Sequence, residues 1–511
     1  FHRVSHQPLE PRCTTVVVDP ATRSTTVYAA TQAPHMLKWQ LAAYGNRPGL
    51  LRAARDVAST PGRLRWLAAT ARTFMSQNRD DIRKTDWRGV LGQIHTEPRM
   101  LTHAARAGLS LLASSTMPEV HTGDIGGGFG SKGPTAREDV ALYVASRLLG
   151  KSIQWVEDRN ENLLDGGQAR EESIDLSMAV DETARILALR AKITIDGGAY
   201  PGNPIGAATI SQMMKTMLPG SYQIGAFEST TIVMASNKGK YVPYRGPWAN
   251  ETFARERLID IAARDLGIEP LEMRLRNSLS VEDMAQQPQM VSGPTIDRTM
   301  SNHTLLRAAA RQFDVASFRK RQAEALADGR FIGIGFANFH EPAPGPANYP
   351  DAVSPGSGMF LRETATVELS RSGCVLARTP QSPHGQGHET TFAQLIADSV
   401  GARFDDISVQ YGNTDATPLA LLGTGGSRGA SVGGGAILGA CMKLRDQIVA
   451  EAAEMLEAAR HDLRISDSTV YVAGVPALRL DFAEIAEHSL RHTPDPDGPA
   501  FISSNVHNGT G

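Results

Sequence analysis

Apolar and β-branched residues alternate over 14–18 (TTVVV) and 24–28 (STTVY), and Asp19-Pro20 between them supplies a turn, so this part of the chain predicts a hairpin. The pattern becomes helical over 36–44. Over 45–115 apolar positions such as Leu64, Leu67, Ala68 and Ala71, and again Leu101, Ala104 and Ala105, fall at helical spacing. A helix is predicted over 135–149 and a strand over 152–156. Two alternating strands at 173–180 and 186–195 flank a turn at Asp181-Glu182, and a helix follows over 251–266, extended by 271–275. The polar stretch 280–297 reads as a linker. Beyond it the pattern gives one helix over 304–327, strands over 331–338, 364–369 and 373–379, a helix over 390–400, a strand over 407–411 and a helix over 436–459.

Composition narrows the classes. Of 511 residues, 41% are apolar and 21% charged, the balance of a folded chain, and no run of 18 apolar residues suggests a membrane span. The net charge of −2 gives no reason to expect a nucleic-acid partner. Cys13, Cys374 and Cys441 are too far apart in sequence to form a C-x-x-C pair, which fits reduced thiols in a cytoplasmic protein and no cysteine-held cluster. One segment departs from this even balance: residues 45–115 carry twelve Lys and Arg against five acidic residues. These basic amphipathic helices could pack on their own protein with a solvated face, dock on an acidic partner subunit, or lie on a membrane surface.

The chemistry sits in glycine loops. The stretch 123–132 (GDIGGGFGSK) sets one aromatic ring among five glycines, which suits either a tight turn or a backbone cradle for a bulky anionic ligand. Ser131 separates Gly130 from Lys132, so the stretch is not a Walker A loop. His388-Glu389 lacks a second His four residues on, and no G-x-S-x-G elbow occurs. The residues 423–435 (GTGGSRGASVGGG) place glycines, small hydroxyls and a cation ahead of a helix, as anion-binding loops do. Several such loops with few acids or nucleophiles suit a large cofactor held between two domains and supplying the reactivity itself.

Six motifs in order carry a specific resemblance: TQAPH at 31–35, GDIGGGFGSK, WVEDRNE at 155–161, YRGP at 244–247, PHGQGHETTFAQ at 383–394 and GSRGASVGGGA at 426–436. Together they resemble the molybdopterin-binding large subunit of the molybdenum hydroxylases, the xanthine oxidase and aldehyde oxidase family, in the branch of aerobic carbon monoxide dehydrogenase large subunits. The resemblance implies an α+β fold: two α/β domains of mixed sheets and helices clasping a molybdopterin cofactor, with a basic helical insertion. The first domain would span 1–280 with the insertion at 45–115, the linker 281–303, and the second domain 304–511.

By the same resemblance, Gln32 would hydrogen-bond the apical oxo ligand of molybdenum. Gly128, Phe129 and Gly130 would lie against the metal's ligands and the pterin, with Phe129 shaping the substrate channel. Arg245 and Gly246 would approach the metal from the other side. Gly385, Gln386 and Gly387 would bond the pterin, and Ser427, Arg428, Ser431, Val432 and Gly433 would line the pyrophosphate and nucleotide part. Gln32 and Phe129 are the residues nearest the chemistry, and no side chain is expected to ligate the metal, which the pterin dithiolene holds. The cofactor is expected in its cytosine dinucleotide form. Partner subunits carrying 2Fe-2S clusters and FAD would take the electrons from hydroxylation of an aldehyde or N-heterocycle.

Some features depart from the family pattern. Its catalytic glutamate belongs to a Gly-x-Gly-Glu motif that does not occur here, and its N-terminal substrate-side domain is missing, so the chain is expected to be a fragment with no base of its own. Gly246 stands where copper-dependent relatives have a cysteine, and Gln168 where a His is common. A non-catalytic remnant that binds cofactor or partner subunits is therefore the second expectation.

Overall fold

The computed structural model describes residues 1–45, 117–199, 206–244, 248–280, 282, 301–339, 362–420, 422–491 and 498–508. Its strands are β1 (Val4–Ser5), β2 (Cys13–Val18), β3 (Thr25–Ala29), β4 (Glu119–His121), β5 (Ile153–Val156), β6 (Gln168–Ala169), β7 (Glu172–Val180), β8 (Ile186–Asp196), β9 (Ala226–Met234), β10 (Arg362–Leu369), β11 (Val375–Arg378), β12 (Ile407–Gln410), β13 (Leu463–Ser466), β14 (Thr469–Val472), β15 (Val475–Asp481) and β16 (Phe501–Asn508). The helices are α1 (Pro34–Gly45), α2 (Arg137–Leu149), α3 (Arg159–Asp165), α4 (Ala207–Met217), α5 (Trp248–Asp265), α6 (Pro270–Asn277), α7 (Asn302–Phe313), α8 (Val315–Ala327), α9 (His388–Ile396), α10 (Gly434–Met455) and α11 (Phe482–Leu490). Beyond Gly45, the basic segment 45–115 lies outside the described residues, as does most of the linker 281–303. The chain forms two compact units, one from Phe1–His6 with Leu164–Ser354 and the other from Gln7–Leu163 with Pro355–Gly511.

In the second of these units, β2 and β3 form the expected hairpin, closed by Asp19, whose carboxylate accepts the N–H groups of Ala21 and Thr22. The sheet runs β4-β3-β2-β5. Its inner face, led by Val16, Val27 and Val120, packs on Leu37 and Leu41 of α1 and Tyr143 of α2. A second sheet runs β12-β11-β10-β16, and the 22-residue α10 crosses it. Ala436, Ala440, Leu444, Ile448 and Ala452 stand four apart on one stripe of α10 and are fully buried against Ala365, Val367 and Val375. The backbone of α10 comes close to β16: a Cβ on Gly439 would stand 2.1 Å from the Asn505 side chain. The meander β13-β14-β15 and helix α11 complete this unit.

The other unit contains the sheet β7-β8-β9 and the short pair β1-β6. The β7–β8 turn is held by the Asp181 carboxylate, which accepts N–H bonds from Thr183 and Arg185. Two expectations for this unit are corrected. The helix expected over 304–327 is two helices, because Asp314 takes φ 55 and its carboxylate caps α8 at Ser317 N–H. The strand expected over 331–338 does not form: Arg274 donates to the Phe336 carbonyl at 3.0 Å and Arg255 to the Asn338 carbonyl at 2.8 Å, so arginine side chains take backbone acceptors that a neighbouring strand would have used. Helix α4 and strand β9 belong to this unit and have no counterpart in the sequence reading.

Candidate cofactor site

Gln32 lies in the turn between β3 and α1, which starts with a proline at its first position. It is 5% exposed, and both ends of its amide are engaged. The side-chain oxygen accepts the Gly130 N–H at 3.0 Å and the side-chain nitrogen donates to the Thr424 carbonyl at 3.1 Å. Its backbone carbonyl accepts the Thr424 N–H at 2.9 Å and its N–H reaches the Lys132 carbonyl at 3.0 Å. One residue thus joins the 123–132 loop to the 423–433 loop. A carboxamide nitrogen carries two hydrogens and Thr424 takes one, which leaves the second for a ligand.

The approach of these loops requires glycine at two positions. A Cβ on Gly128 would fall 2.6 Å from the Gln32 amide oxygen. Gly423 has φ +57, and a Cβ there would fall 2.2 Å from the Gln32 carbonyl oxygen. Gly127, Phe129 and Gly130 also take positive φ, and Phe129 is 50% exposed at the tip. Glu10 holds the base of this loop. Its carboxylate accepts the Gly126 N–H at 2.8 Å and the buried Lys132 ammonium at 2.9 Å, while its own N–H donates to the Gly126 carbonyl at 3.1 Å. Nothing in the local pattern marks Glu10, because its partners lie more than a hundred residues away.

Gly385 and Gly387 have φ +109 and +71, and an added Cβ at either would meet no atom within 4 Å, so this stretch faces open space. Gln386 is exposed, its amide oxygen accepting the His384 N–H at 2.7 Å. His388 opens α9, bonds the Gln381 carbonyl at 3.0 Å through Nδ1 and stacks on Phe392. Burial pushes His384 down to about 4, with the nearby His388 and Lys132 acting the same way, and it lowers His388 too. Both imidazoles are therefore neutral and offer hydrogen bonds instead of charge.

In the 423–433 loop, Ser427 is exposed with φ 58. Residues Gly429–Gly433 form a π-helical turn that runs into α10, with Gly429 backed by the His388 ring. The Ser431 hydroxyl donates to the Ser427 carbonyl at 3.1 Å. Arg428 and Val432 face inward at 1% and 0% exposure, and a Cβ on Gly433 would touch Gln381. Arg428 donates to the carbonyls of Gly423 at 3.0 Å and Arg362 at 3.1 Å, and pairs with Glu363 at 3.5 Å. Neither Glu363 nor Gln381 was singled out by the sequence. Arg245 and Gly246 lie outside the described residues.

These residues fit a large, acceptor-rich anion. Two open glycines, a helix preceded by a glycine-rich turn and the spare Gln32 N–H offer donors. In addition, Ser382 Oγ, His384 Nδ1 and Arg428 Nε are buried without a hydrogen-bond partner, as expected of donors that such a ligand would satisfy.

Comparison with known proteins agrees with that chemistry. Residues 105–278 and 308–509 each match a molybdopterin cofactor-binding domain model. The chain is 33% identical over 390 residues to the nicotine 6-hydroxylase large subunit of Paenarthrobacter nicotinovorans, covering 76% of this chain and 47% of that protein. It is 31% identical over 421 residues to the carbon monoxide dehydrogenase large chain of Afipia carboxidovorans, covering 79% and 50%. The chain therefore spans about half the length of these curated relatives. Quinoline 2-oxidoreductase from Pseudomonas putida 86 superposes with a TM-score of 0.74 at 28% identity, over 99% of this chain and 56% of that one. The chain belongs to the molybdopterin-binding large subunits of the molybdenum hydroxylase family of oxidoreductases.

Proposed function

We propose that the chain holds a molybdopterin cofactor, in its cytosine dinucleotide form, within an oxidoreductase that hydroxylates an aldehyde or an N-heterocycle with oxygen taken from water. When bound, the cofactor supplies the two-electron oxidation of the substrate carbon. Gln32 would donate its second amide N–H toward the metal side of the ligand. Phe129, half exposed at its loop tip, would bound the space for the substrate. Gly128 and Gly130 would bring backbone against the ligand, Gly385, Gln386 and Gly387 would meet the pterin, and Ser427, Ser431 and Gly433 its phosphate end. Arg428 and Val432 would support that end from inside the loop. Arg245 and Gly246 are kept in this reading from their motif alone.

The observation that carries the proposal is the Gln32 amide, bonded to Gly130 on one side and Thr424 on the other, with unpartnered buried polar groups in the loops beside it. The two family models support reading 1–280 and 304–511 as two cofactor-binding segments. The names of the relatives support partner subunits, which we propose to carry 2Fe-2S and FAD. A cytoplasmic location is proposed on three free cysteines, and among the described residues no helix is long and apolar enough to cross a membrane. The test is to purify the full-length protein with its co-expressed partners and measure molybdenum, together with oxidation of aldehydes and N-heterocycles by an artificial acceptor. Metal without turnover on either class would overturn the hydroxylase reading.

A further inference from the structure

We propose that Glu363 is a positioning residue: through Arg428 and Gln381 it fixes the Gly423 carbonyl, and through Thr424 it sets the Gln32 amide. The significance of that placement rests on reading the site as the molybdopterin pocket. Glu363 is the second residue of β10 and shares its inward face with Ala365, Val367 and Leu369, so strand alternation drives its carboxylate into the core at 1% exposure. A carboxyl there is costly unless it is bonded. It accepts from Gln381 Nε2, from the Thr364 N–H at 3.3 Å, and lies 3.5 Å from Arg428 Nη2.

Both side-chain partners also reach one further atom. Arg428 Nη1 donates to the Gly423 carbonyl at 3.0 Å and Gln381 Nε2 to the same oxygen at 3.3 Å. Gly423 is the residue whose positive φ and close approach put the next residue, Thr424, in its double exchange with Gln32. Hydrogen bonds thus run from Glu363 through its two partners to the Gly423 carbonyl, and the Gly423–Thr424 peptide carries the link on to Gln32, whose side chain bridges the two loops. A carboxylate that only cemented the core would have no reason to share both its partners with that carbonyl.

The experiment uses the full-length protein and two variants. Glu363→Gln replaces the carboxyl by an amide of the same shape that cannot ionise. The paired variant Glu363→Leu, Arg428→Met removes both charges and keeps the volume, so it remains foldable if the single change does not. Amide hydrogen exchange on the cofactor-free chain reads the inference without any metal. In either variant, exchange at Thr424 and Gly130 is expected to rise at least tenfold while the middle of α10 stays unchanged. On the loaded protein, molybdenum release during dialysis is expected to quicken at least tenfold, and the molybdenum(V) paramagnetic resonance spectrum to shift. Wild-type exchange at Thr424 and Gly130 in the variants, or a rise of equal size throughout the unit, overturns the role of Glu363. A wild-type protein that never contains molybdenum overturns the cofactor reading instead, while the exchange result still decides whether Glu363 positions Gln32.

Discussion

Replacing Gly423 by alanine tests the joint between the two loops. The new Cβ would stand 2.2 Å from the Gln32 carbonyl oxygen and 2.8 Å from the Ala33 Cα, both main-chain atoms that no rotamer change can move. Alanine at φ +57 adds roughly 1 kcal/mol of backbone strain. Relief by separating the loops gives up the Thr424 N–H bond to Gln32 and the Gln32 amide bond to Thr424, at about 1 kcal/mol each. The expected loss is about 3 kcal/mol, roughly a 5 °C fall in Tm for a unit of this size. Gly425, two residues on, is the control, since an added Cβ there meets no atom within 4 Å, and Gly425→Ala should stay within about 0.5 kcal/mol of wild type. Differential scanning calorimetry on the two variants, with molybdenum content measured in parallel, makes the comparison. If Gly423→Ala unfolds within about 1 kcal/mol of Gly425→Ala, the close approach of Gly423 to Gln32 is wrong.

Other outcomes follow from the same geometry. Glu10→Ala leaves the buried Lys132 ammonium without its carboxylate and should cost about 2–4 kcal/mol in urea unfolding, with faster exchange at Gly126. Phe129→Gly should leave stability within about 1 kcal/mol of wild type, since the ring is half exposed and its φ of 55 suits glycine, while substrate oxidation changes. The Glu363 carboxyl, pushed up to about 7 chiefly by burial, lies above its ordinary value, so its contribution to stability is full below pH 4.5 and is lost as pH rises through 7. Against pH, the paired Glu363→Leu, Arg428→Met variant should therefore gain on wild type by on the order of 3 kcal/mol between pH 4.5 and 7.5 in urea titrations, and a flat difference would contradict this. Glu251 is fully buried in α5 with neither carboxyl oxygen bonded, and burial pushes it well above the usual carboxylate range; Glu251→Met should raise Tm by a few degrees.

The sequence shows most plainly what local periodicity encodes. The alternation at Val16 and Val18 with Asp19 behind them announces the hairpin, and the stripe at four-residue spacing from Ala436 to Ala452 announces α10. Gln32 and the glycine loops are legible because they form motifs. Glu10 and Glu363 are not, since each gains its role only when distant segments meet: Glu10 at Gly126, and Glu363 where the loops bearing Gln381 and Arg428 converge on Gly423. The same limit explains the errors. Alternating Ile332, Ile334 and Phe336 mimic a strand, yet two distant arginines hold the Phe336 and Asn338 carbonyls. The break at Asp314 is invisible to helical periodicity because one aspartate ends α7 and caps α8. Beyond residue 459 the short strands β13, β14 and β15 alternate too briefly to stand out, and β16 is identified only by its pairing along β10.

The most direct test of the central claim is molybdenum per chain in full-length protein purified with its partners from a host that makes the cofactor, compared with Gln32→Ala. One metal with its pterin is expected in wild type, and in the variant either loss of the metal or an altered molybdenum(V) resonance. A wild-type protein free of molybdenum, or a variant whose metal content and resonance both match wild type, would contradict it.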